Sequence, residues 1–242
     1  MPATRLEVEG LSAGYGRVRV IEDIGFSVRA GERLAVLGRN GMGKTTLLAT
    51  LMGLSRLHGG AIRLGDDDIT ARRSSMRAML GLGYVPQTRD VFASLTVEEN
   101  LRTGLKGRPR EAIEEAYGQF PRLKERRRNL GQQLSGGEQQ MLSIARTLLG
   151  QPSVLLLDEP LEGLAPMICD EIMERLVGLA ASGGLTIIMV EQQVERALDF
   201  ADRVIVLERG RISWAGAPAA LKSDRGLVDR LIGVGLTAPV PA

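Results

Sequence analysis

Eight consecutive residues, Gly38-Arg39-Asn40-Gly41-Met42-Gly43-Lys44-Thr45, follow the spacing G-x-x-x-x-G-K-[ST]. That spacing is a device for holding phosphate. Glycines let backbone N–H groups converge on phosphate oxygens, and the start of a helix adds partial positive charge. Lys44 would neutralise the β- and γ-phosphates, Thr45 would ligate Mg²⁺, and Thr46 would reach the α-phosphate. The plain alternative is a glycine turn beside a solvated lysine. The flanks tell against it, because 33–37 is mostly apolar like a buried strand and 45–52 reads as a helix.

A second chemical group lies far downstream. The apolar run 154–157 ends in Asp158-Glu159-Pro160. Two carboxylates at the C-terminal end of a buried parallel strand stand where open α/β sheets bind ligands. Asp158 would hold Mg²⁺ through water, and Glu159 would act as general base on the attacking water. Alone, the same residues would suit a strand ending in solvated acids. A third group, Leu134-Ser135-Gly136-Gly137-Glu138-Gln139-Gln140, precedes a helical pattern over 141–149. Ser135 and Glu138 form a capping box, which explains the Ser and the Glu but not the two glycines. Paired glycines permit close approach, and a helix start presents N–H groups to an anion. One nucleotide already has its phosphate loop, so this second anion site is read as addressing the γ-phosphate bound by another copy.

These groups need elements to carry them. Alternation over 5–11 and 24–28 predicts half-buried antiparallel strands, whereas 33–37, 154–157 and 186–190 are continuous apolar runs suited to a parallel sheet buried on both faces. Helical patterns such as 168–179 lie between them, which points to an α/β sheet. The run 204–207, a turn at Arg209-Gly210 and 211–213 predict a closing hairpin. From 88 to 150 no strand is expected. Thr96 and Glu99 fit a capping box, Pro109 suits a helix start, and the whole reads as a helical insertion between two halves of one sheet. Beyond Ala217 a short helix and a Pro-containing tail are expected. Arg126-Arg127-Arg128 reads as a solvated helix face, Asp66-Asp67-Asp68 as a hairpin turn, and Cys169 as a packing residue. His58, read as following a helix, is assigned no chemistry.

Composition narrows the class. The 242 residues carry 31 Lys+Arg against 29 Asp+Glu, so the net charge of +2 makes no electrostatic case for nucleic acid. One Cys excludes an intrachain disulfide, and one His excludes His-cluster metal sites. No apolar run approaches the ~18–20 residues of a membrane span, and the N-terminus lacks a secretory apolar core. A soluble cytoplasmic globular protein is expected.

The order of phosphate loop, Gln87, Leu134-Ser135-Gly136-Gly137-Glu138 and Asp158-Glu159 resembles the ATP-binding subunit of an ATP-binding cassette (ABC) transporter over essentially the whole chain. The resemblance implies an α/β P-loop NTPase cassette with a mainly parallel core sheet, an N-terminal antiparallel β subdomain and a helical subdomain. Catalytic core and β subdomain would occupy 1–87 and 151–216, the helical subdomain 88–150, and the C-terminal helix and tail 217–242. It further implies a head-to-tail dimer sandwiching two ATPs. Each nucleotide would lie between Gly38, Arg39, Asn40, Gly41, Gly43, Lys44, Thr45 and Thr46 of one subunit and Ser135, Gly136, Gly137 and Glu138 of the other. Tyr15 would stack on adenine. Thr45, Gln87 and Asp158 would serve Mg²⁺, and Gln87 would report to the membrane domain. Without the resemblance, Tyr15 is an ordinary loop tyrosine and Gln87 a polar turn residue.

Two departures narrow the reading. Most of the family has a switch histidine where Gln192 stands in Val190-Glu191-Gln192-Gln193. Glutamine can hydrogen-bond a γ-phosphate but carries no charge and no transferable proton. Either hydrolysis is impaired, or Glu159 is the base and Gln192 only positions; the second reading is preferred. Val-Glu-Gln resembles the branched-chain amino-acid importer ATPases, and Val85-Pro86-Gln87-Thr88-Arg89-Asp90-Val91-Phe92 is similar to the related urea and short-amide importers. Leu161 replaces the small hydroxyl residue usual after Asp-Glu-Pro, without evident reason. The expectation is a Mg²⁺-dependent ATPase driving uptake of branched-chain amino acids, peripheral on the cytoplasmic face of a bacterial inner membrane. Its partners would be a second ATPase subunit, two transmembrane permease subunits and, through them, an external solute-binding protein. The rivals are a non-transport cassette ATPase acting on ribosomes or DNA, and a regulatory module that binds ATP without turnover.

Overall fold

The structure, a computed structural model, describes residues 2–233. Ten strands are present among them: β1 Leu6–Tyr15, β2 Val18–Val28, β3 Arg33–Leu37, β4 Arg56–Leu64, β5 Asp67–Asp68, β6 Leu82–Val85, β7 Val154–Asp158, β8 Thr186–Val190, β9 Arg203–Glu208 and β10 Arg211–Gly216. They make an antiparallel sheet in the order β2-β1-β4-β5 and a second sheet in the order β10-β9-β3-β8-β7-β6. In the second sheet every neighbouring pair is parallel except the β9–β10 hairpin.

The continuous apolar runs explain this arrangement. Side chains alternate across a strand, so a sheet covered on both faces needs apolar residues at every position. Leu34, Val36, Leu156, Ile188 and Val190 face the antiparallel sheet and the helix Lys44–Met52, packing with Leu6, Val8, Leu47 and Leu51. Their neighbours Ala35, Leu37, Leu155, Leu157, Ile187 and Met189 point the other way. There they meet Met141, Ile144 and Ala145 of the helix Gly136–Leu149 and Ile172 and Leu176 of the helix Pro166–Ala181. β1, with water on one face, alternates instead, interrupted by register shifts after Val8 and Leu11.

The stretch 88–150 enters between β6 and β7 and carries the helices Val97–Thr103, Ile113–Gln119, Pro121–Glu125 and Gly136–Leu149. Thr96 and Glu99 form the expected reciprocal cap. Pro109 instead precedes a single 3-10 turn, Arg110–Ala112, and the helix proper starts at Ile113. Arg126–Arg128 lie past the end of Pro121–Glu125 in a turn, not on a helix face. His58 lies within β4, a strand whose His-Gly-Gly centre masks its β pattern. Asp67 and Asp68 pair back onto Leu64 and Arg63, as a hairpin requires. The C-terminal part holds two helices, Pro218–Ser223 and Arg225–Ile232, where one was expected; the expected tail lies outside the described residues.

Two buried polar side chains pin this frame. Arg77 caps the C-terminal end of Lys44–Met52, its Nη1 donating to the Thr50 and Leu51 carbonyls at 2.8 and 2.7 Å. A guanidinium there satisfies carbonyls the helix leaves open and suits its dipole. Asn100, fully buried, donates from Nδ2 to the carbonyls of Phe92, Leu95 and Thr96, while its Oδ1 accepts the Phe92 N–H at 2.9 Å. Asn100→Ala strands the Phe92 N–H and removes the side chain that ties three carbonyls together, although each carbonyl keeps a backbone donor. Each unsatisfied buried group costs ~1–3 kcal/mol, so the substitution is expected to lower stability by about 2–3 kcal/mol in urea unfolding with an unchanged m-value.

Candidate active site

Four strand ends converge at the C-terminal edge of the parallel sheet, and β8 lies between β3 and β7. Beyond β3 the chain turns at Gly38, where a Cβ would stand 2.5 Å from the Leu207 carbonyl oxygen. It enters the helix Lys44–Met52 through Gly43, at φ 98°, a conformation open to glycine and strained for other residues. The Lys44 ammonium, almost fully buried, donates to the Gly38 carbonyl at 2.8 Å and the Arg39 carbonyl at 3.2 Å. It lies 3.7 Å from Glu159 Oε1. Burial pulls its pKa down, and the carboxylates of Glu159 and Asp158 oppose that.

From β7, Asp158 presents both oxygens. Thr45 Oγ1 donates to Oδ1 at 3.2 Å, and the Tyr84 hydroxyl on β6 donates to Oδ2 at 3.2 Å. Burial pushes the Asp158 pKa up, and these two hydrogen bonds work against it. Burial and the Asp158 charge push the Tyr84 phenol up, keeping it a donor. Glu159 sits at φ 48° and is buried. Its Oε2 accepts Gln192 Nε2 at 2.5 Å and Gln87 Nε2 at 3.1 Å. Gln87 also donates to Glu162 Oε2 at 2.7 Å.

These groups surround a cleft of about 310 Å³ lined by Val20, Asn40, Gly41, Gly43, Lys44, Thr45, Thr46, Gln87, Glu159, Glu162 and Gln192. Asp158 reaches it through Thr45, and Gly38 and Arg39 contribute carbonyls to Lys44. Tyr15 lies at the end of β1, half exposed, and does not line the cleft. Thr45, Asp158 and Gln87 offer a hydroxyl, a carboxylate and an amide, a set of hard oxygen donors. Among the described residues no cluster of three or more His, Cys, Asp or Glu forms a cage. An ion held here would take the rest of its shell from phosphate and water, which fits Mg²⁺.

The segment Ser135-Gly136-Gly137-Glu138 lines no part of the cleft. It starts the helix Gly136–Leu149, with the Ser135 N–H donating to Glu138 Oε2 at 2.8 Å and the Glu138 N–H donating to Ser135 Oγ at 3.3 Å. Arg126 Nε reaches Glu138 at 3.3 Å, so that arginine steadies the cap. Both glycines have neighbours within this chain: a Cβ at Gly136 would meet Arg89 Nη1 at 3.0 Å, and one at Gly137 would meet Ile168 Cγ2 at 2.9 Å. Intrachain packing thus crowds Gly137 against Ile168 even without a second copy, whereas the movable end of Arg89 leaves Gly136 freer.

Sequence reasoning missed Tyr84, Arg89, Glu162 and Glu191, which carry no motif of their own. Leu161 gains an account. Its side chain is fully buried in the core, and its N–H donates to Glu191 Oε1 at 3.0 Å. Cys169 packs beneath it as expected.

The sequence pattern of the family described as "ABC transporter" matches residues 21–162. The chain belongs to the ABC transporter family. It is 40% identical over 232 residues to the high-affinity branched-chain amino acid transport ATP-binding protein of Pseudomonas aeruginosa, covering 94% of this chain and 99% of that one. It is 34% identical to the lipopolysaccharide export system ATP-binding protein of Haemophilus influenzae, covering 90% and 93%. A solved ATP-binding subunit of an ABC transporter superposes with a TM-score of 0.81 at 29% identity, covering 93% of this chain and 97% of that one. The ABC family binds and hydrolyses nucleotide through this cassette fold. Lys44→Ala removes the one lysine ammonium that lines the cleft among the described residues. It is expected to weaken binding of a fluorescent ADP analogue about ten- to hundredfold, read by equilibrium titration.

Proposed function

We propose that the chain is the ATP-hydrolysing subunit of an importer for branched-chain amino acids. The observation that carries the ATPase reading is Glu159. Its carboxylate faces the phosphate loop's lysine with Oε2 occupied by two amides, leaving the other oxygen for a water. The water oxygen attacks the γ-phosphorus, its proton passes to Glu159, and the bond to the β-phosphate oxygen breaks as ADP leaves. Lys44 and the N–H groups of the loop hold the β- and γ-phosphates. Thr45, Asp158 and Gln87 would hold Mg²⁺, which would supply positive charge to offset that of the phosphates. Gln192 positions the base, and having no titratable proton it does so without a change of charge. In a head-to-tail dimer, Ser135, Gly136, Gly137 and Glu138 of the second subunit close over the γ-phosphate, and Tyr15 meets the adenine.

Among the described residues no helix is long and apolar enough to cross a membrane. The transport reading includes membrane permease subunits as partners. A groove of about 490 Å³ suits them, with Leu54 and Phe92 exposed along it and Met76 and Met79 beside it. Lys106 and Arg146 also line it without any carboxylate, which favours a permease segment bearing apolar residues and an acid. Import of branched-chain amino acids is supported by the Pseudomonas relative and by Gln192; the similarity to an export ATPase makes direction a matter for the test.

Three outcomes are expected. In cells lacking the protein, labelled leucine uptake is restored by wild type and not by Glu159→Gln, whose purified form loses at least a hundredfold in turnover while still binding ATP. Met79→Asp keeps the purified turnover and loses uptake. Rescue of urea uptake alone would keep the mechanism and change the solute, and wild-type turnover in Glu159→Gln would remove the base. Ser135→Arg is expected to abolish ATP-dependent dimerisation of the Glu159→Gln protein in size-exclusion chromatography. An unaltered dimer would end the role of that segment across the interface.

A further inference from the structure

Glu191 is a carboxylate at the end of β8 with only 2% of its surface exposed. Ionised carboxylates are rarely buried without specific partners, because desolvation costs several kcal/mol. Here the partners are three backbone N–H groups. Oε1 accepts from Leu161 at 3.0 Å, and Oε2 accepts from Gln192 at 3.0 Å and Gln193 at 3.3 Å. The pair on Oε2 is local and would suit a carboxylate that merely starts the helix Val194–Phe200. The bond to Leu161 is different, since it crosses 30 residues to the chain leaving Glu159-Pro160. One side chain therefore joins the loop behind Glu159 to the loop that carries Gln192, and these two loops meet in the 2.5 Å contact between Gln192 and Glu159.

We infer that Glu191 is a positioning residue for hydrolysis: its carboxylate clamps the Leu161 and Gln192 backbones together and so fixes Gln192 against Glu159. This rests on the reading of Glu159 as the base. Replacement by glutamine isolates the clamp. An amide has one acceptor oxygen, so Glu191→Gln can keep the bonds at Gln192 and Gln193 only by setting its NH₂ against the Leu161 N–H. Two donors then face each other and the loops part, while the phosphate loop keeps the Lys44 bonds to the Gly38 and Arg39 carbonyls and loses only the weakest of the carboxylate charges acting on that lysine.

The test is steady-state hydrolysis and equilibrium binding of a fluorescent ADP analogue by the purified full chain. Glu191→Gln is expected to lower kcat at least tenfold with ADP affinity within twofold of wild type. In the Gln192→Ala background the same change is expected to cost less than threefold, because the contact it acts through is already gone. A kcat within twofold of wild type overturns the inference, as does a matched loss of ADP affinity, which marks a merely structural role, or full additivity with Gln192→Ala. If Glu191→Gln does not give folded protein, Glu191→Asp is judged by the same criteria, since the shorter carboxylate keeps the charge and cannot span to Leu161. Glu159→Gln measured alongside separates the two claims. Wild-type turnover in that variant defeats the base itself, whereas its loss together with an unaffected Glu191→Gln defeats only the clamp.

Discussion

One ammonium and three carboxylates share a dry corner at the carboxyl edge of the parallel sheet, and the rest of the molecule is arranged so that none is left bare. Lys44, Asp158, Glu159 and Glu191 are all buried. Such groups are tolerated only where fixed dipoles replace the lost water. Each has its own set: two loop carbonyls for Lys44, two hydroxyls for Asp158, two side-chain amides for Glu159 and three backbone N–H groups for Glu191. Those partners, acceptors for Lys44 and donors for the carboxylates, come from four different strand ends. The order β3-β8-β7-β6 is therefore an electrostatic requirement as much as a packing solution.

The apolar frame makes that precision possible. Alternate residues of β3, β7 and β8 are locked between the antiparallel sheet on one side and the long helices on the other, so a strand cannot slip without turning a whole apolar set outwards. The helical insertion leaves the sheet after β6 and returns to β7, and it carries Ser135 away from the cleft of its own chain. On the function proposed above, the phosphate loop and the base belong to one chain while the Ser135 segment stands apart from that cleft, which gives a physical motive for pairing. Arg89, at φ 66°, ties the two regions by reaching the Glu162 carbonyl at 3.2 Å beside Gly136.

Much of the site was legible because its chemistry is contiguous. The phosphate loop needs a strand, glycines and a helix start within a few residues, so its spacing specifies its shape. The Ser135–Glu138 and Thr96–Glu99 caps are equally local, and both formed as read. Less was legible where local pattern is weak. β4 hides behind His58-Gly59-Gly60, and the short strand β6 lies in a region without alternation. Gly136 and Gly137 were legible as places of close approach, though the packing neighbours proved to be Arg89 and Ile168 of the same chain.

The sequence by itself determined which residues form the glycine-rich turn ahead of the first helix, which acids end a buried strand and which family the chain resembles, because those features depend on neighbours a few bonds away. Tertiary structure alone decided that β8 lies between β3 and β7, that Tyr84 reaches across 74 residues to Asp158, and that Glu191 reaches back across 30 to Leu161. Those contacts depend on strand order and register, which are set by the summed burial of apolar faces rather than by any single residue. Leu161 shows the difference. In the sequence it is an unexplained departure, and in the fold it is a buried anchor whose N–H helps to neutralise a carboxylate that no motif announces.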